Sequence, residues 1–176
     1  MTDFLQDYPD GVILALDQMS LYFQATLTRV WWPIVSVHPQ RDCFYFYGAL
    51  NLRDGREVAL SASGANAEMT ANFLMILLML YPQPILLLLD RAPWHYGEVT
   101  DLIEQTDRLQ VLYFPPACHD LNSQEHVWER ARVAISHNHT YRQFQPLIDD
   151  FETYLNETLF STNFMDAFVP LGLGVF

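Results

Sequence analysis

The stretch PILLLLDRAPWHYGEVTDLIEQTDRLQVLYFPP, residues 84–116, decides the fold. Its opening run, ILLLL at 85–89, is wholly apolar, follows a proline and ends at Asp90, which predicts a buried strand. Residues 97–106 set Val99, Leu102 and Ile103 on one face at helical spacing, so a helix follows. Residues 109–114 read as a second strand, stopped by Pro115-Pro116. Strand, helix, strand is a crossover unit that joins two parallel strands.

Working outward, residues 66–81 predict another helix, with Asn66 as its N-cap. The uncharged run 69–89 is long enough to span a bilayer, but Pro82-Gln83-Pro84 divides it. A buried helix and a buried strand are therefore expected, with no membrane span. GVILAL at 11–16 predicts a buried strand ending at Asp17. Residues 29–41, with Trp31, Trp32, Pro33 and Pro39, read as a loop. CFYFYGALN at 43–51 is aromatic and β-prone, and residues 57–63 return as its hairpin partner. Arg53-Asp54-Gly55-Arg56 makes the turn, its Asp-Gly pair suiting φ > 0. Helices are expected over 122–135 and 140–159, before an apolar LGLGVF tail. No repeat or linker interrupts the chain, so residues 1–176 are expected to form one α/β domain. The order is a leading antiparallel part followed by crossovers. It is that of a ribonuclease-H-like domain, a mixed β-sheet flanked by helices.

Composition bounds the function. The 176 residues carry 9 basic and 21 acidic side chains, a net charge of -12, and every basic residue is an arginine. With 51% apolar residues a packed core is assured. The acidity argues against gripping nucleic acid by bulk charge, because phosphate binding rests on Lys/Arg neutralisation. Cys43 and Cys118 stand far apart and form no disulfide framework, and no basic and apolar leader opens the chain. A cytoplasmic protein is expected.

Two apolar runs each lead into an aspartate, Asp17 and Asp90, and sites in α/β sheets gather at the carboxyl ends of strands. Taken singly, each marks only a chain surfacing from the core. Glu125 follows Asp90 with 34 residues between them, in the first turn of a predicted helix that Asn122 would cap. Asn122 and Glu125 have capping-box spacing, and Asp120 and Glu129 are alternative third acids. Three converging carboxylates suit Mg²⁺ or Mn²⁺, which take oxygen ligands. Two such ions serve phosphodiester chemistry. His95, Asn122 and His126 are candidates for substrate contact or for support of the acids. Trp94 and Trp128 read as core or loop anchors. No HExxH, CxxC, GxSxG, P-loop or GxGxxG pattern occurs.

At these residues the sequence resembles the catalytic domain of DDE transposases of the mariner-like bacterial insertion-sequence group. LDQMS at Asp17 resembles the first-acid motif, with RVWWP beyond it, and YGALN the family's hairpin. LLLDRAPWH resembles the second-acid motif, YFPPACHDLNSQEHVW the third, and SHNHTYRQFQPLIDDFETYL the closing helix. Ser123-Gln124, Cys118-His119 and Arg91 depart from the family's usual residues. The resemblance implies a DNA transposase: Asp17, Asp90 and Glu125 as catalytic residues and ligands of two Mg²⁺ or Mn²⁺ ions, cutting and joining DNA. It implies transposon ends and target DNA as partners, and a homodimer. DNA would be held through a helix-turn-helix segment outside these 176 residues. An inactive or regulatory fragment, and a nuclease that cuts without joining, are the competing expectations.

Overall fold

The computed structural model describes residues 1–23, 42–95, 97–115 and 122–161, apart from the side chains of Trp94, Glu98, Thr100 and Glu104. The expected 29–41 loop with Trp31, Trp32, Pro33 and Pro39, the Cys118–Asp120 stretch and the LGLGVF tail lie outside the described residues.

Five strands form one mixed sheet, in the order β3-β2-β1-β4-β5. They are β1 (Val12–Tyr22), β2 (Cys43–Asn51), β3 (Glu57–Ala62), β4 (Ile85–Leu89) and β5 (Leu109–Tyr113). β1, β2 and β3 pair antiparallel, whereas β4 lies parallel to both β1 and β5. The crossovers are α2 (Ala67–Leu80) and α3 (Glu98–Glu104), and α4 (Ser123–Ala131) and α5 (Phe144–Glu157) close the chain. A short α1 (Thr2–Asp7), which the sequence did not suggest, plugs Phe4 into the core. The mixed sheet and flanking helices are the ribonuclease-H-like arrangement expected.

Strand alternation assigns two cores. Val12, Leu14 and Leu16 of β1, with Ile85, Leu87 and Leu89 of β4, pack beneath Phe73, Leu74 and Leu77 of α2. Ile13, Ala15, Leu86 and Leu88 face the other way, towards Trp128 of α4 and Leu147, Ile148, Phe151 and Leu155 of α5. β4 is buried at every residue because both faces are covered. Asn66 caps α2 by accepting from the Met69 N–H at 2.8 Å. α2 ends before Pro82, and no described helix is long and apolar enough to cross a membrane.

β3 is an outer strand whose free backbone groups α5 satisfies. Asn156 pairs with the N–H and C=O of Ala59 at 2.9 and 3.1 Å, and Glu152 accepts from the Ser61 N–H at 3.2 Å.

Three local expectations change. The β2–β3 connection is five residues, 52–56, in which Gly55 N–H donates to Asn51 O at 2.9 Å, and of these only Gly55 has φ > 0. α4 gives way after Ala131 to a π-helical turn, Arg132–Ser136. α5 begins at Phe144, later than the expected 140, because residues 140–143 lead in as irregular, bent chain.

Candidate active site

Parallel pairing of β1 with β4 ends at Ala15 opposite Leu88. Continuing that register by two residues sets Asp17 beside Asp90. Alternation puts both on the sheet face covered by α4 and α5, in line with Ala15 and Leu88. Asp17 does not end its strand, as the apolar run suggested: β1 continues to Tyr22, paired there with β2. What stops at Asp17 is the unbroken burial. Past β4's end, β1 alternates between half-buried and buried residues.

Asp17 lies opposite Gly48 in the β1–β2 ladder. A Cβ on Gly48 would collide with the Trp128 ring, Gln124 Nε2 and Glu57 Oε1. The missing side chain lets α4 lie close on the sheet. Trp128, 1% exposed, uses that space to donate its Nε1–H to Asp17 Oδ2 at 3.2 Å.

The start of α4 is tied to the same place. Asn122 caps the helix, its Oδ1 accepting from the Gln124 N–H at 3.1 Å. Its Nδ2 donates to the carbonyl of Leu16, the residue before Asp17, at 3.3 Å. Glu125 then falls in the first helical turn with an exposed side chain. His126 is exposed about 100° further round the helix. Glu129, one turn beyond Glu125, borders a separate groove with Ser20, Leu21, Tyr22 and Arg132. Asp120 lies outside the described residues.

The two aspartates are tuned in opposite directions. Burial, chiefly, raises Asp17 from 3.8 to about 7, and the charges of Glu125 and Asp90 add to it. Hydrogen bonds from the Gln18 backbone and Trp128 only partly offset this. Asp90 lies below its ordinary value, first because of His95, whose Nδ1 stands 2.9 Å from Oδ1, with the Ala92 N–H donating at 3.0 Å. His95 is fully buried, so it stands behind Asp90 and not at a substrate-facing surface. Its Nε2 meets the Gln18 carboxamide at 3.1 Å, linking Asp90 to the residue after Asp17.

All three acids offer hard oxygen donors. Among the described residues no three such groups stand close enough, as they lie, to enclose one ion. Two carboxylates in register with an exposed third at the rim nevertheless fit Mg²⁺ or Mn²⁺. Such ions bind through one or two carboxylates and keep several waters. Burial first, and then the charges of Glu125 and Asp90, disfavour the ionised Asp17, so a cation beside it fits the electrostatics as well. Sequence reading named the three acids, Asn122 and His95 as candidates. It did not find the parts played by Gln18, Gly48, Glu57 and Gln124, and it placed Trp128 in the core without its bond to Asp17.

A family model described as DDE superfamily endonuclease matches residues 32–148. The chain belongs to that family. No curated protein sequence matches it significantly. Among solved structures it is similar to the Mos1 transposase paired-end complex with left transposon end, at 17% identity and TM-score 0.64 over 83% of this chain. The catalytic domain of Mos1 mariner transposase gives 14% identity and TM-score 0.60, covering 86% of this chain and 72% of that one. A simian T-cell lymphotropic virus intasome complex gives 9% and 0.58, covering 85% of this chain and 50% of that one. The chain spans about half the length of the Mos1 protein in the paired-end complex, 48%. The likeness to DDE transposase catalytic domains drawn from the motifs is thereby borne out in family and fold. Mos1 paired-end complexes are also known with Mn and with Mg.

Proposed function

We propose that this DDE endonuclease domain is the catalytic domain of a mariner-like transposase, with Asp17, Asp90 and Glu125 as its catalytic, metal-holding acids. The observation that carries the reading is the register of Asp17 with Asp90 under the first turn of α4. There burial and two neighbouring acids raise Asp17 to about 7, and a divalent cation would relieve that repulsion. Two Mg²⁺ or Mn²⁺ ions held there would activate the attacking hydroxyl and stabilise the leaving oxygen of a phosphodiester. The chain's own residues do the positioning. Trp128 orients one oxygen of Asp17. His95 and the Ala92 N–H keep Asp90 ionised and aimed. Asn122 fixes where Glu125 enters.

The substrates are transposon-end DNA and target DNA, cut and then joined. With a net charge of -12, this stretch holds DNA weakly by itself, so affinity comes from a DNA-reading segment outside it and from pairing of two copies. The test is metal-dependent nicking of a donor-end duplex, supplied with its DNA-binding segment, with strand-transfer products scored. Asp90→Asn abolishes both products. Nicking that survives it refutes the assignment, and nicking without joining shows a plain nuclease.

A further inference from the structure

Beneath the acids lies a second carboxyl that the chemistry above does not use. Glu57 opens β3 on the α4 face and is 5% exposed, and Gln124 of α4 is fully buried. Gln124 Nε2 donates to Glu57 Oε1 at 2.5 Å. One oxygen on each side remains, Glu57 Oε2 and Gln124 Oε1, and both are buried without a hydrogen-bond partner. Such atoms are costly to leave unpaired away from water. A proton carried on Glu57 Oε2 and donated to Gln124 Oε1 would satisfy both.

We infer that Glu57 and Gln124 form a two-point carboxyl–carboxamide lock that positions the first turn of α4, and with it Glu125 and Trp128, over Asp17. In the lock Gln124 Nε2–H donates to Glu57 Oε1, and Glu57, carrying its proton on Oε2, donates to Gln124 Oε1. Burial pushes the Glu57 carboxyl well above its ordinary value, the direction that favours keeping this proton. The lock sits directly over Gly48, where a Cβ would strike both partners and the Trp128 ring together. Gln124 immediately precedes Glu125, so a turn that loses its anchor moves the third acid. Glu57 and Gln124 are positioning residues.

Two measurements test this. Infrared difference spectra at neutral pH, wild type minus Glu57→Gln, should show a protonated-carboxyl C=O stretch belonging to Glu57, the Asp17 signal common to both proteins cancelling. A carboxylate band instead overturns the lock. Mn²⁺ affinity by electron paramagnetic resonance is the second, and it rests on the cation site proposed above. Glu57→Leu or Gln124→Leu, still folded by near-ultraviolet circular dichroism, should weaken Mn²⁺ about tenfold. Glu57→Gln, and the swap Glu57→Gln with Gln124→Glu, should stay within about twofold of wild type, since each can rebuild two hydrogen bonds. Leucine variants binding like wild type, or Glu57→Gln failing as they do, contradict the positioning role. A wild type that binds no Mn²⁺ contradicts the cation site, and the positioning role with it, while the infrared result still decides the protonated lock.

Discussion

The indole N–H of Trp128 reaches Asp17 Oδ2 at 3.2 Å across a gap that Gly48 keeps open. Helix, sheet and acid thus meet at a position where no other residue fits. Gly48→Ala should cost about 1–3 kcal/mol through overpacking and should also disturb the acids. Chemical denaturation measures the first effect and Mn²⁺ affinity the second. An alanine variant equal to wild type in both would show that α4 does not depend on this close approach.

Trp128→Phe keeps most of the core volume but removes the donor. Stability should fall by about 0.5–1.5 kcal/mol for the lost hydrogen bond, together with a packing loss. Because that bond holds Asp17 down, its carboxyl should titrate higher in the variant. Carbon-detected NMR of the Asp17 carboxyl against pH, in wild type and variant, reads the shift directly.

Asp17 also sets a direction for stability against pH. Its folded value, about 7, lies above its ordinary 3.8, so between these the folded state binds more protons than the unfolded. The stability this contributes is present below about pH 4 and is lost as pH rises through about 7, on the order of 4 kcal/mol at most. In metal-free protein, Asp17→Asn should therefore raise the melting temperature most at and above pH 7. No gain there would show that Asp17 ionises without strain.

His95→Ala should act oppositely, through Asp90. Without the Nδ1 contact at 2.9 Å, Asp90 should titrate higher, and Gln18 loses its contact with the ring. Part of Asp90 is exposed, which limits the effect on stability. The sharper readout is the lower limb of the pH profile for Mn²⁺ binding, which should move upward. An unmoved limb would place His95 in the core alone.

Much of this was legible in the sequence. The strands ILLLL and CFYFYGALN and the Asn66 cap rest on local chemistry that periodicity and capping report, whereas the Asp90–Glu125 spacing carried meaning only through the family resemblance. What stayed hidden depends on the third dimension. Asp17 looked terminal because burial breaks there, whereas its strand continues along β2. Gly48 looked like an ordinary strand residue until its register with Asp17 was known. Glu57 and Gln124 lie 67 positions apart and meet only when α4 crosses the hairpin.

The most direct test of the central claim is a Mn²⁺ titration of the full chain, followed by electron paramagnetic resonance, for wild type, Asp17→Asn, Asp90→Asn and Glu125→Gln. Each aspartate change should weaken binding at least about tenfold, and Glu125→Gln, at the rim, by less. Wild-type Mn²⁺ affinity in both aspartate variants would contradict the account.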